Sequence, residues 1–308
     1  MRKIILDCDT GTDDAIAIIA SLYSKEAEVA AFTTVDGNAS IDHTSRNTLN
    51  LVRQLGFDTP VAVGAASQLK RRAVHGPGGV HGSNGLGGIE LIPSKSGFSE
   101  QDAVTTIYEG VKKARGDIDI VAIGPLTNIA MTLITHPDLG EYVNHIYVMG
   151  GAISGGNMNH TAEFNIWKDP EAARIVFAAG IPCTMVGLDV TKKAILNEDD
   201  ARKLRALNTE AANIAADILA FMFIRRDAGG EDALMHDSLA LAAAVRPECV
   251  VTKPYFVDVE CEGTYTFGHT FVDTKNRLKK KPNVNVAVEI NLPAFKEWLH
   301  TTIANSKA

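Results

Sequence analysis

Short runs of Val, Ile, Leu and Ala recur along this chain, each followed by a stretch whose apolar residues fall at helical spacing. That alternation restricts the fold more than any other property of the sequence. Residues 4–6 read as a buried strand, 13–23 as a helix and 29–35 as a second strand, so the chain opens on a strand–helix–strand unit with parallel strands. The pattern continues with helices near 43–55, 101–113, 126–134 and 169–178, and strands near 60–63, 118–123, 146–149 and 182–188. Residues 190–245 are mainly helical, 250–260 and 284–290 are strand-like, and 293–303 close the chain as a helix. Helices crossing between parallel strands predict an α/β fold with a doubly wound, mainly parallel open sheet flanked by helices. No Ser/Pro-rich linker interrupts residues 1–308, which are read as one domain. The glycine-rich stretch 75–88 is too long for a tight turn and is expected to form a mobile loop carrying His75 and His81.

In open α/β sheets ligands collect beyond the carboxyl ends of the strands. Four unusual segments lie there: the acidic run from Asp7 to Asp14, Asp36-Gly37-Asn38, Ile123-Gly124-Pro125 and Met149-Gly150-Gly151. Asp7, Asp9, Asp13 and Asp14 crowd a short turn before a helix. Helix N-terminal amides can stabilise one or two carboxylates, and the remainder repel unless a cation joins them. A donor set of oxygens without clustered sulfur or nitrogen suits calcium or magnesium better than zinc. The four cysteines, Cys8, Cys183, Cys249 and Cys261, are too scattered for a zinc knuckle or a disulfide framework, which points to a reducing, cytoplasmic setting. A net charge of -7 argues against a nucleic-acid partner, and Asp7 interrupts the first apolar run too early for a signal peptide or membrane span. Asp7-Cys8-Asp9-Thr10 also admits a magnesium-dependent phosphotransferase, although Gly11 stands where that motif carries threonine or valine. No G-x-G-x-x-G follows a strand to make a dinucleotide site.

Asp7-Cys8-Asp9-Thr10-Gly11-Thr12-Asp13-Asp14-Ala15 resembles the signature of the inosine-uridine-preferring nucleoside hydrolases. Further matches follow in that family's order: Val35-Asp36-Gly37-Asn38, His81-Gly82-Ser83-Asn84-Gly85, Ile123-Gly124-Pro125-Leu126-Thr127-Asn128, Ala162-Glu163-Phe164-Asn165-Ile166 and Met235-His236-Asp237. The later segments are most similar to its broad-specificity ribonucleoside hydrolases. The resemblance implies Ca²⁺ bound by Asp9, Asp14, Asp237 and the carbonyl of Ile123, with Asp9 also the base that deprotonates the attacking water. It implies a substrate-binding set of Asp13, Asn38, Met149, Asn157, Glu163 and Asn165 around ribose. His236 would protonate the departing base and His81 would assist. The implied substrates are purine and pyrimidine ribonucleosides in nucleoside salvage, and the implied assembly is a homodimer or homotetramer. A noncatalytic nucleoside-binding protein with the same sites is the alternative. The sequence departs from the family pattern in three places: Thr10 replaces a proline, Ser83 and Asn84 replace acidic residues, and residues 221–232 hold Arg225 and Arg226 but no tyrosine.

Overall fold

A computed structural model describes residues 1–70 and 80–307. Strand β1 (Arg2–Cys8) leads through α1 (Thr12–Tyr23), β2 (Ala27–Thr34) and α2 (Ile41–Gln54) to β3 (Val61–Val63). Next come α3 (Ala103–Ala114), β4 (Asp119–Ala122), α4 (Thr127–Thr135), β5 (His145–Met149), α5 (Phe164–Lys168), α6 (Pro170–Ala178) and β6 (Cys183–Val186). The helical stretch comprises α7 (Leu188–Thr191), α8 (Glu198–Arg205), α9 (Glu210–Asp227) and α10 (His236–Val245), with β7 (Ile195–Leu196) and β8 (Ala233–Leu234) pairing within it. The chain ends with β9 (Val250–Tyr255), β10 (Val257–Val259), β11 (Thr270–Val272), β12 (Val284–Ile290) and α11 (Leu292–Ala304).

The central sheet has eight strands in the order β3-β2-β1-β4-β5-β6-β12-β9, all parallel except the edge strand β9. The chain winds outward from β1 in one direction through β2 and β3, then returns to β4 on the other side of β1. The crevice where the two directions part, above the ends of β1 and β4, is where such sheets bind ligands.

Period-two alternation explains why β1 is apolar almost throughout. Ile4, Leu6 and Cys8 enter one buried layer, while Ile5 enters the opposite layer beside Ile107 and Val111 of α3 and Ile129 of α4. Each fully buried isoleucine or leucine contributes about 1.5–3 kcal/mol relative to exposure. Helix α10 is buried from Asp237 to Val245, and its alanines let it lie close against α1. Two helix N-termini, those of α1 and α10, therefore meet above the β1–β4 crevice.

Two expectations are refined. Residues 250–260 are not one strand: the chain leaves the main sheet after Tyr255 and pairs again as a β10–β11 hairpin. The Asn283 side chain stabilises this exit by accepting from the Val257 N–H (2.7 Å) and donating to the Val257 carbonyl (2.9 Å). Helix α5 was not expected, because five residues are too few to display a helical period. In the glycine-rich stretch, positions 75–79 lie outside the described residues.

Candidate active site

The carboxyl ends of β1, β2, β4 and β5 and the N-termini of α1 and α10 surround a cavity of about 640 Å³, lined by Asp13, Asn38, Ile123, Met149, His81 and Asp237 among others. That volume suits a small organic ligand. The acidic run places Asp13 and Asp14 in the first turn of α1, and α10 brings Asp237 across to them. Carboxylate oxygens of Asp13, Asp14 and Asp237 all lie within 4.8 Å of one another, and all three residues are buried. Asp9 stands outside this triple, within hydrogen-bonding reach of the Asp14 carboxylate.

Asp9 lies in a cradle that only glycine permits. A Cβ at Gly37 would collide with its carboxylate, and one at Gly124 would come within 2.8 Å of Oδ1. Oδ2 accepts from the Asn38 N–H (2.7 Å), while Oδ1 is buried without a protein partner. Asp14 is held more fully: Oδ1 accepts from the Asp9 N–H (3.1 Å), and Oδ2 accepts from the Gly11 N–H (2.9 Å) and Asn38 Nδ2 (3.0 Å).

The electrostatics of this group decide its chemistry. Burial pushes Asp9 and Asp237 well above the usual carboxylate range and lifts Asp13 to about 7; neighbouring carboxylates add to each shift. Burial raises Asp14 as well, against the pull of the Gly11 and Asp9 amides. Asp9 with Asp14, and Asp13 with Asp237, approach closely enough to share protons. Four buried acids in mutual contact need protons or a cation between them, so the donor set fits a hard divalent metal.

The remaining expected residues converge on the same cavity. The loop after β5 and helix α5 supply Asn157, Glu163 and Asn165, and Met149 ends β5. Glu163 caps α5: its carboxylate accepts from the N–H groups of Asn165 (3.0 Å), Ile166 (3.3 Å) and Gly151 (3.0 Å). Burial nevertheless raises its pKa to about 7. Asn165 Nδ2 donates to the carbonyls of Ile123 (2.9 Å) and Met149 (3.1 Å), tying β4 to β5 at the cavity floor. Asn157 Oδ1 accepts from the Phe164 N–H (2.9 Å).

The two histidines share a pattern. His81 Nδ1 accepts from the Thr12 N–H (3.1 Å), so its ring proton sits on Nε2. His236 Nδ1 meets the Thr191 hydroxyl at 2.7 Å, the one hydrogen bond of that hydroxyl among the described residues. Burial lowers His81 to about 3, aided by Arg225 and His236, and lowers His236 to about 4, aided by Lys192 and Arg225. Burial thus disfavours the charged form of both rings. The His81 segment is ordered by Asn84, whose Oδ1 accepts from the N–H groups of Leu86 and Gly88 (both 3.0 Å).

Several supporting residues escaped the sequence reading. Thr12 and Thr191 orient the histidines from distant elements. Asn128 donates to Asp7 Oδ1 (2.8 Å) and the Thr34 carbonyl (2.9 Å) and accepts from the Ala65 N–H (2.9 Å), stitching three strand ends together. Lys168 forms a buried ion pair with Asp36 (2.9 Å; side chains 1% and 3% exposed), fastening α5 to the Asp36–Asn38 turn. A charged residue breaking the apolar side of a short helix was the one available signal for Lys168. Arg225 lines the cavity, whereas Arg226 pairs with Glu198 (2.7 Å) and Asp227 (2.8 Å) at the surface.

Comparison with known proteins gives a consistent picture. Residues 4–297 match the family described as inosine-uridine preferring nucleoside hydrolase. The chain is 40% identical over 301 residues to the non-specific ribonucleoside hydrolase RihC of Escherichia coli, covering 98% of each chain. It is 39% identical over 303 residues to RihC of Escherichia fergusonii, again with 98% of each covered. Its structure matches that of a purine-preferring ribonucleoside hydrolase from Gardnerella vaginalis with a TM-score of 0.93 at 34% identity, over 100% of both chains.

Proposed function

Because the chain belongs to the inosine-uridine-preferring nucleoside hydrolase family, and is thus an N-glycosidase of nucleosides, we propose that it hydrolyses purine and pyrimidine ribonucleosides with Ca²⁺ as cofactor. The observation that carries this reading is the convergence of buried Asp13 and Asp237 with Asn38, Glu163 and Asn165 on one cavity, with the buried Asp14 within 4.8 Å of both aspartates. Asp9, Asp14, Asp237 and the Ile123 carbonyl would hold the cation, which supplies neutralisation of the cluster and acidification of a water.

The chain's own residues then divide the remaining work. Asp13, Asn38, Asn157, Glu163 and Asn165 bind the ribose hydroxyls, with Met149 against the sugar. Asp9 accepts a proton from the attacking water, whose oxygen bonds to C1′ as the C–N bond breaks. The electron pair of that bond stays on the base. Positive charge developing on the ribose is stabilised by the surrounding carboxylates. His236 serves the departing base, donating a ring N–H as a hydrogen bond and transferring its proton in the cationic form. His81, with its proton on Nε2, assists from the opposite segment. Since hydroxyl-specific sites leave buried partners unpaired when a hydroxyl is missing, 2′-deoxynucleosides should be poor substrates.

The proposed setting is a single domain spanning residues 1–308, in the cytoplasm, acting in nucleoside salvage as a homodimer or homotetramer. All four cysteines are buried free thiols, in keeping with a reducing compartment, and no described helix is long and apolar enough to cross a membrane. The test is release of free ribose from inosine and uridine by purified protein, with Ca²⁺ and with chelator. Metal-dependent release is expected. Nucleoside binding without ribose release would establish the noncatalytic alternative, and size-exclusion chromatography with light scattering reads the assembly.

A further inference from the structure

Building on the nucleoside hydrolase reading, we propose that Lys168 is a positioning residue: its buried ion pair with Asp36 fixes the turn that carries Asn38, and thereby sets Ca²⁺ affinity and ribose binding. The two halves of the proposed sugar clamp come from separate parts of the sheet. Asn38 follows β2, whereas Glu163 and Asn165 follow β5, and in the sheet order β1 and β4 stand between those strands. Three strand spacings divide the two halves, about 14 Å. Lys168, the last residue of α5, closes that gap, with its ammonium 2.9 Å from the Asp36 carboxylate, two residues before Asn38. Both side chains are almost wholly withdrawn from water, at a desolvation cost that an apolar contact of similar volume would not carry. What the ion pair adds over such a contact is a fixed direction and distance between α5 and the turn.

The turn is where direction matters. Asn38 touches two proposed metal ligands at once, its N–H donating to Asp9 Oδ2 (2.7 Å) and its Nδ2 to Asp14 Oδ2 (3.0 Å). Gly37 brings the backbone so near Asp9 that any Cβ would collide with the carboxylate. Yet the turn's own backbone is lightly held: the Asp36 N–H donates to the Ala65 carbonyl (2.9 Å) and the Gly37 N–H to the Ala39 carbonyl (3.1 Å). Residues 38–40 are partly exposed and line the cavity. Helix α5, by contrast, has anchors besides Lys168. The neighbouring Asp169 accepts from the Leu69 N–H (2.9 Å), the Thr127 hydroxyl (2.7 Å) and the Ala172 N–H (3.1 Å), tying the α5–α6 junction to α4 and to the segment after β3. The fixed end of the ion pair is therefore α5, and the guided end is the Asn38 turn. The charges that bear most on Asp9 are those of Asp14 and Asp13, so Lys168 works through the turn rather than through its own field.

The experiment compares the parent, Lys168→Met, Lys168→Arg and the double variant Asp36→Leu/Lys168→Met as full-length proteins. Three quantities are measured: the Ca²⁺ Kd of metal-stripped protein by titration calorimetry, the melting temperature, and kcat and KM for inosine at saturating Ca²⁺. Residues that orient metal ligands from outside typically change affinity by about ten to a hundred fold, so Lys168→Met should raise Kd about tenfold or more. KM should rise about fivefold or more with kcat within about threefold, because an interaction made equally with substrate and transition state is lost in KM. Lys168→Arg keeps the pair and should hold Kd and KM within about threefold of the parent. The double variant separates position from stability: removing both charges should return the melting temperature toward the parent's while Kd and KM stay raised. If Lys168→Met fails to fold, the double variant carries the test by itself, raised Kd and KM supporting the proposal and parental values refuting it. Parental Kd and KM in folded Lys168→Met, or their recovery together with stability in the double variant, would overturn the proposal and reduce the pair to a prop of the fold. A parent that binds no Ca²⁺ and releases no ribose would instead sink the nucleoside hydrolase reading itself.

Discussion

The floor of the cavity and its α9 wall are built on opposite plans. On the floor, each functional side chain is fixed from several directions: Asp14 by two backbone amides and the Asn38 side chain, Glu163 by three backbone amides, and Asn165 by two carbonyls. At the wall, the Arg225 guanidinium has one hydrogen bond among the described residues, and Met222, Leu234 and Glu231 line the cavity with it. Preorganisation on the floor suits a ligand part that never varies, the ribose diol, because hydroxyl recognition discriminates steeply. Loose fixation at the wall suits the part that varies between substrates. The contrast predicts that damage to the floor removes activity from all nucleosides alike, while damage to the wall redistributes it.

The largest expected effect tests the floor at its centre. Asp9→Asn keeps the shape of the side chain but abolishes its basicity and removes one negative charge from the cluster. Loss of a general base typically costs about a hundred to ten thousand fold, so kcat for every nucleoside should fall at least about a thousandfold with weakened metal activation. Asp237→Asn should match it, whereas Asp7→Asn, outside the cavity, should cost less. Near-normal ribose release by the Asp9→Asn protein would contradict its role as base and dissolve the distinction between floor and wall.

A smaller effect should follow from the support beneath the floor. Lys168→Met removes the ammonium from its buried pair with Asp36 and should lower stability, by at most about 3–5 kcal/mol. Urea denaturation should show that loss, with Lys168→Arg recovering most of it. If Lys168→Met unfolds at the parent's midpoint, the ion pair does not secure the Asn38 turn to α5.

Metal binding acts on the floor alone. In the metal-free protein Asp13 titrates near 7, and Asp9, Asp14 and Asp237 are shifted the same way. A carboxyl whose folded pKa lies above its unfolded value near 4 binds protons more tightly when folded. Its stabilising contribution is complete below pH 4 and disappears as pH rises through about 7. Metal-free stability should therefore decline across that window. Ca²⁺ competes with those protons, so the melting-temperature gain on adding it should be small at pH 5 and larger at pH 8, where a hundredfold excess over Kd gives about 2.7 kcal/mol. A gain independent of pH would mean that the cation binds elsewhere.

The same division explains what the sequence disclosed. Strand β12 was legible to the residue, because Val284, Val286, Val288 and Ile290 recur at every second position, and Asp9, Asp13 and Asp14 announced themselves by crowding. Asp237 and Glu163 became visible only through family resemblance, since each stands alone in its own segment. The Thr12–His81, Thr191–His236 and Asp36–Lys168 contacts link residues 69, 45 and 132 positions apart, and no local pattern records which distant side chain completes a buried hydrogen bond. The break after Tyr255 depends likewise on Asn283, which satisfies the Val257 backbone from the residue before β12.

The smallest expected effect isolates the wall from its surroundings. Arg225 and Arg226 are neighbours in sequence and equal in charge, yet they face different media. Arg226 reaches Glu198 and Asp227, and its guanidinium lies over the Phe223 ring at 5.2 Å. Solvent-screened pairs of this kind contribute little, so Arg226→Gln should leave the melting temperature unchanged and every kcat/KM within about twofold of the parent. If turnover depended on the general positive potential of this helix end, Arg226→Gln would lower kcat/KM for every nucleoside.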